Sequence, residues 1–91
     1  MASDPQAFLR DLIERQRLQS LAVSSTGFAF DPRSGQSFTI NRTGLATLEH
    51  LRRTADIDET VSALSTRYGV PADMVLGAVE VFVRQLARYL V

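Results

Sequence analysis

Apolar and polar positions change their period twice along this chain. Near the N-terminus, Phe8, Leu9, Leu12 and Ile13 form one stripe at helical spacing. They predict an amphipathic helix, with Ser3-x-x-Gln6 as a capping box, Pro5 in the first turn and an Arg10–Glu14 pair on the wet side. The stripe fades between Gln16 and Gln19, and the period then shortens to two. Leu21-Ala22-Val23, Phe28-Ala29-Phe30 and Ser37-Phe38-Thr39-Ile40 read as three short strands. Ser24-Ser25-Thr26-Gly27 and Asp31-Pro32-Arg33-Ser34-Gly35 read as the turns between them. Alternation predicts that Phe28, Phe30, Phe38 and Ile40 share the buried face of a one-sided antiparallel meander.

Helical spacing then returns and holds to the C-terminus. Asn41 is a good N-cap for a helix with Leu45, Leu48 and Leu51 inside, and Gly44 in its first turn lets the backbone approach the sheet closely. Arg52 and Arg53 sit at its C-terminal end, where the helix dipole favours cations. Asp56-x-x-Glu59 is a second capping box, followed by the stripe Ile57, Val61, Leu64 and Tyr68 and by Gly69 as a left-handed C-cap. Val70-Pro71 opens a last helix running to about Tyr89. Val75, Val79, Phe82 and Leu86 make its core stripe, widened by Leu76 and Val83. Met74, Ala78 and Val81 lie on a further apolar flank, more apolar arc than one small core requires. That flank either packs against the N-terminal helix or lines a groove.

The expected fold is therefore α+β: an N-terminal helix extension (1–19), a three-stranded antiparallel meander (20–40) and a three-helix bundle (41–91), all in one domain of residues 1–91. A chain of 91 residues with 45% apolar content supports one modest core. Formal net charge is zero and the arginines are scattered along the sequence, so no strong field draws it to nucleic acid or anionic membrane. No apolar run reaches the length of a membrane span, and no signal peptide is evident, so a cytoplasmic location is expected. There is no cysteine, hence no disulfide or thiol chemistry.

No catalytic constellation, metal site or cofactor motif emerges. His50 is a lone histidine among leucines, Asp31, Asp56, Asp58 and Glu59 suit turns and caps, and the Asn41-Arg42-Thr43 sequon is explained by the cap. Two features remain for function. The third strand of a small meander has one unpaired side, a template for an added peptide strand. The over-apolar flank of the last helix offers side-chain contacts. Gln36, Ser37, Phe38, Thr39 and Ile40, with Met74, Ala78 and Val81, are accordingly the candidate peptide-binding residues. The same surface also suits a homodimer or a structural, dimerising subunit of an enzyme complex. Residues 61–86 also read as helix, glycine turn, helix, the DNA-binding pattern. The second helix of that pattern would open Pro71-Ala72-Asp73-Met74-Val75, with nothing to read base edges and an aspartate to repel phosphate.

The ordered set of motifs resembles the PqqD family, the small peptide chaperones also called recognition elements for ribosomally made, post-translationally modified peptides (RiPPs). The likeness covers about residues 20 to 91. It is carried by Gly27-Phe28-Ala29-Phe30-Asp31-Pro32 with Ser34-Gly35, by Ile40-Asn41 with Thr43-Gly44, and by Leu48 and Leu51. Ile57, Leu64, Tyr68 and Val70, then Val79, Phe82, Leu86 and Leu90-Val91, continue it. Ala78 stands beside Val79 where the family often has Asp, Arg53-Thr54 replaces a usual Gly, and Tyr89 replaces another; the N-terminal helix is additional. The resemblance implies a winged-helix-like, non-catalytic domain. It would bind a precursor's leader peptide as an extra strand beside the last helix and deliver it to a modifying enzyme such as a radical SAM protein.

Overall fold

A computed structural model of the chain describes residues 4–90. The order is α1 (Pro5–Glu14), β1 (Ala22–Val23), β2 (Phe28–Phe30), β3 (Ser37–Thr39), α2 (Arg42–Thr54), α3 (Ile57–Tyr68) and α4 (Ala72–Leu90). The strands form one antiparallel sheet in the order β1-β2-β3, so β1 and β3 are its edges. The α+β meander-then-helices reading of the sequence is thus the observed one.

The caps explain where the helices begin and stop. Asn41 Oδ1 accepts from the Gly44 N–H at 2.8 Å and Asp56 Oδ1 from the Glu59 N–H at 3.1 Å, each satisfying an orphan donor of a first turn. The return bond expected of a capping box at Asp56 does not form. The Asp56 N–H instead donates to Thr54 Oγ1 at 3.3 Å. Gly69 ends α3 at φ +65°, the left-handed conformation that glycine adopts without penalty. At α1 the N-cap is Asp4, whose carboxylate accepts from the Gln6 N–H; the expected cap, Ser3, lies outside the described residues. The surface pair on α1 is Asp11–Arg15 at 3.1 Å rather than Arg10–Glu14.

Leu9, Leu12, Leu18, Leu48, Leu51, Leu64, Val79, Val83, Leu86 and Leu90 are among the residues of one continuous core. α1 joins it by packing on α4. Gln6 fastens α1 to the α2–α3 turn: its Oε1 accepts from the Ile57 N–H at 3.0 Å and its Nε2 donates to the Ala55 carbonyl at 3.3 Å. Tyr68, expected on the inner stripe of α3, is exposed at the end of that helix.

The sheet corrects one expectation. Phe38 and Ile40 do turn inward, but Phe28 and Phe30 are 51% and 40% exposed, and Ala29 between them is fully buried. Alternation fixes which residues share a face but not which face is wet. Here Asp31 decides it. Asp31 is fully buried and paired with Arg17 Nη2 at 2.6 Å. Two residues earlier, Ala29 points the same way, so the phenylalanines between must point out. Burial alone would raise the Asp31 pKa. Hydrogen bonds from Ser34 Oγ, Arg17 and the Arg33 N–H, with the charge of Arg17, outweigh that and hold it below the ordinary aspartate value.

Candidate peptide-binding site

The register of β2 against β3 determines what the β3 edge offers. The Ile40 N–H donates to the Gly27 carbonyl at 2.6 Å, and the Asp31 N–H to the Gln36 carbonyl at 2.8 Å. With Ala29 opposite Phe38, the hydrogen-bonded pairs are therefore 27/40, 29/38 and 31/36. Ser37 and Thr39 fall on the alternate positions, so their N–H and C=O groups point away from β2. Among the described residues, no strand covers that side of β3. The open edge thus consists of Ser37 and Thr39; Phe38 and Ile40 contribute side chains, and the Gln36 carbonyl is committed to the sheet.

Alongside this edge runs a groove of about 640 Å³ between β3 and the C-terminal half of α4, lined by Gln36, Phe38, Thr39 and Ile40 on one side and by Phe82, Gln85 and Tyr89 on the other. Its floor is the first turn of α2. A Cβ built on Gly44 would stand 2.5 Å from Ile40 Cγ2 and 3.1 Å from Asn41 Oδ1, so glycine lets α2 start this close to the end of β3. Phe38 and Tyr89 stack at the C-terminal end of α4.

Met74, Ala78 and Val81 lie further along α4, all exposed, and α1 covers none of them. They line an adjoining apolar groove with Leu64, Tyr68 and Val70, and the two grooves share Asn41, Gly44, Phe82 and Gln85. The result is one channel along α4, with the open strand edge beside one end and the apolar flank at the other. From Met74 to Tyr89 it follows roughly 22 Å of helix, the length of about seven extended residues. The structure thus places Gln36, Phe38, Thr39 and Ile40 at one end of a common channel and Met74, Ala78 and Val81 at the other, while Ser37 lies on the open edge without lining it. Gln85 and Tyr89 escaped the sequence reading; the Met74-Ala78-Val81 stripe continues to them at helical spacing, which is the signal that would have found them.

Among the described residues no group of His, Asp or Glu side chains is placed to hold a metal ion, and no helix is long and apolar enough to cross a membrane.

The family model for coenzyme PQQ synthesis protein D (PqqD) matches residues 27–90, from the turn before β2 to the end of α4. The chain belongs to the PqqD family. No curated protein and no solved structure matches it. PqqD proteins are accessory, non-catalytic components of PQQ and RiPP biosynthesis. The match includes both walls of the channel and does not extend over α1 and β1.

Proposed function

We propose that this PqqD-family chain, acting as one domain, captures the leader segment of a precursor peptide and presents it to a modifying enzyme such as a radical SAM protein. The guest adds as a strand to β3, and its side chains descend into the channel along α4. The domain itself performs no chemistry. The observation that carries this reading is the vacant N–H and C=O pair on each of Ser37 and Thr39, next to a groove that an extended chain fits. The β1 edge is a poorer acceptor, because Arg52 Nη2 already donates to the Leu21 carbonyl at 3.2 Å.

The test is a titration of isotope-labelled protein with candidate leader peptides, followed by NMR. Strand addition requires new protection of the Ser37 and Thr39 amides from solvent exchange, together with shifts at Phe82 and Gln85. Shifts confined to β1 and α1 would remove the proposal.

A second reading, a structural or dimerising subunit, draws on Phe28 and Phe30. They form an exposed aromatic pair on the outer face of the sheet. Sedimentation of the wild type and of a Phe28→Ser, Phe30→Ser double variant separates the two: that reading requires an assembly which the variant loses.

A further inference from the structure

We infer that a second groove, on the β1 side of α2, docks an acidic extended segment of a partner protein. It has a volume of about 720 Å³ and lies between the β1 end of the sheet (Val23, Ser24, Ser25) and one face of α2, closed by the last turn of α3. Arg42, Arg52, Arg53 and Arg67 line it, and Glu49 is the sole acid among them. Four of the ten basic residues of a chain with zero net charge therefore converge on one concavity. Three of them stand along α2 and the packing of α3 adds Arg67, so the fold creates a local field that composition does not reveal.

These arginines are not neutralised from within. The ion pairs Asp11–Arg15 and Arg17–Asp31 lie outside this groove. Neutral contacts hold three of the guanidinium groups in place. Arg52 donates to the Gln19 and Leu21 carbonyls, Arg53 to His50 Nδ1, and Arg67 lies 5.4 Å from the centre of the Tyr68 ring. Arg42 stands in the first turn of α2, which has no acidic residue, where the helix dipole disfavours a cation. Helix stability therefore does not account for Arg42. A ligand bearing carboxylates does, because guanidinium forks pair with carboxylates in bidentate geometry.

The spacing selects an extended segment over a small anion. Arg42 and Arg53 are separated by roughly 16 Å along α2, beyond the reach of one phosphate or carboxylate and close to five residues of extended chain. Glu49, on the same face between them, selects a peptide over nucleic acid. A continuous phosphate backbone would meet its charge, whereas a peptide can set a neutral residue there. The register of β1 also turns the Val23 N–H and C=O away from β2, available to a passing main chain. This groove shares no lining residue with the groove beside β3 and meets the apolar end of the channel only at Tyr68, so a strand on β3 and a segment here can be bound at once.

The experiment uses the full chain, isotope-labelled, titrated with a short blocked peptide of alternating glutamate and serine, its glutamine–serine counterpart, and an oligouridylate. The acidic peptide should shift the amides of Val23, Ser25, Arg42 and Arg53 and leave Ser37 and Thr39 unmoved. The glutamine peptide should not bind. An Arg42→Gln, Arg67→Gln double variant should weaken binding at least about tenfold. Both positions are exposed, and Arg42→Gln alone serves as the variant if the pair unfolds. Absence of binding, equal affinity of the variant, shifts confined to α4, or tighter binding of the oligouridylate at these amides would each overturn the inference.

Discussion

Phe38 and Tyr89 lie ring on ring, with centroids 4.7 Å apart and planes 12° from parallel. The contact ties the edge strand to the last turn of α4 and sets the width of the channel at that end. Replacing Tyr89 with alanine should cost about 1 kcal/mol of stability and widen the groove. Chemical denaturation reads the first effect. A peptide series with larger side chains at the position facing Tyr89 reads the second, and larger residues should gain affinity only in the variant.

Thr39 tests the open edge. Proline there removes an outward-facing N–H without breaking a bond to β2, whereas alanine keeps the N–H. Calorimetry should show peptide binding at least about tenfold weaker for Thr39→Pro and little changed for Thr39→Ala. Equal, small effects would mean that the guest does not pair with this strand.

Val81 tests the far end of the channel. It is 51% exposed, so Val81→Asp should leave the melting temperature within a few degrees of wild type while lowering affinity for a peptide long enough to reach it. A collapse of the fold would show Val81 to be core.

Asp31 ties stability to pH. Its folded-state pKa is depressed, so its contribution is present above the ordinary aspartate value of about 4 and is lost as pH falls through the lower folded value. Asp31→Ala should cost about 3 kcal/mol at neutral pH, because it strands the largely buried Arg17, whose Nε already lacks a partner among the described residues. The difference between variant and wild type should shrink in acid; urea melts at several pH values measure it.

Gly27 tests the junction between the first turn and the sheet. It adopts φ +96°, and a Cβ there would collide with the Ile40 carbonyl oxygen. Gly27→Ala combines backbone strain with a backbone collision and should cost about 3 kcal/mol or more, measured by thermal melting.

Local chemistry was legible in the sequence wherever one residue decides a local event. Asn41, Asp56 and Gly69 cap the helices from the positions their side chains and backbone freedom suggest. The stripe Met74, Ala78 and Val81 stays exposed as an apolar flank, because the partner that could have covered it, α1, packs elsewhere on α4. What escaped the sequence was settled by contacts between distant segments. The outward turn of Phe28 and Phe30 follows from Arg17 reaching Asp31 across fourteen positions. The edge residues could be separated into Ser37 and Thr39 against Phe38 and Ile40 only once the pairing register was known. The stacking of Tyr89 on Phe38 and the approach of Arg67 to the three arginines of α2 likewise depend on how α4 and α3 are placed.

The side chain of Arg52, set against the Leu21 carbonyl, has a bearing on how copies of the molecule can join. A sheet whose two rims were equally receptive could stack head to tail without limit and grow fibres. With the Leu21 carbonyl beside one rim occupied, the two rims are unequal, and sheet-to-sheet association favours like β3 rims meeting about a twofold axis, which closes after two copies and stops.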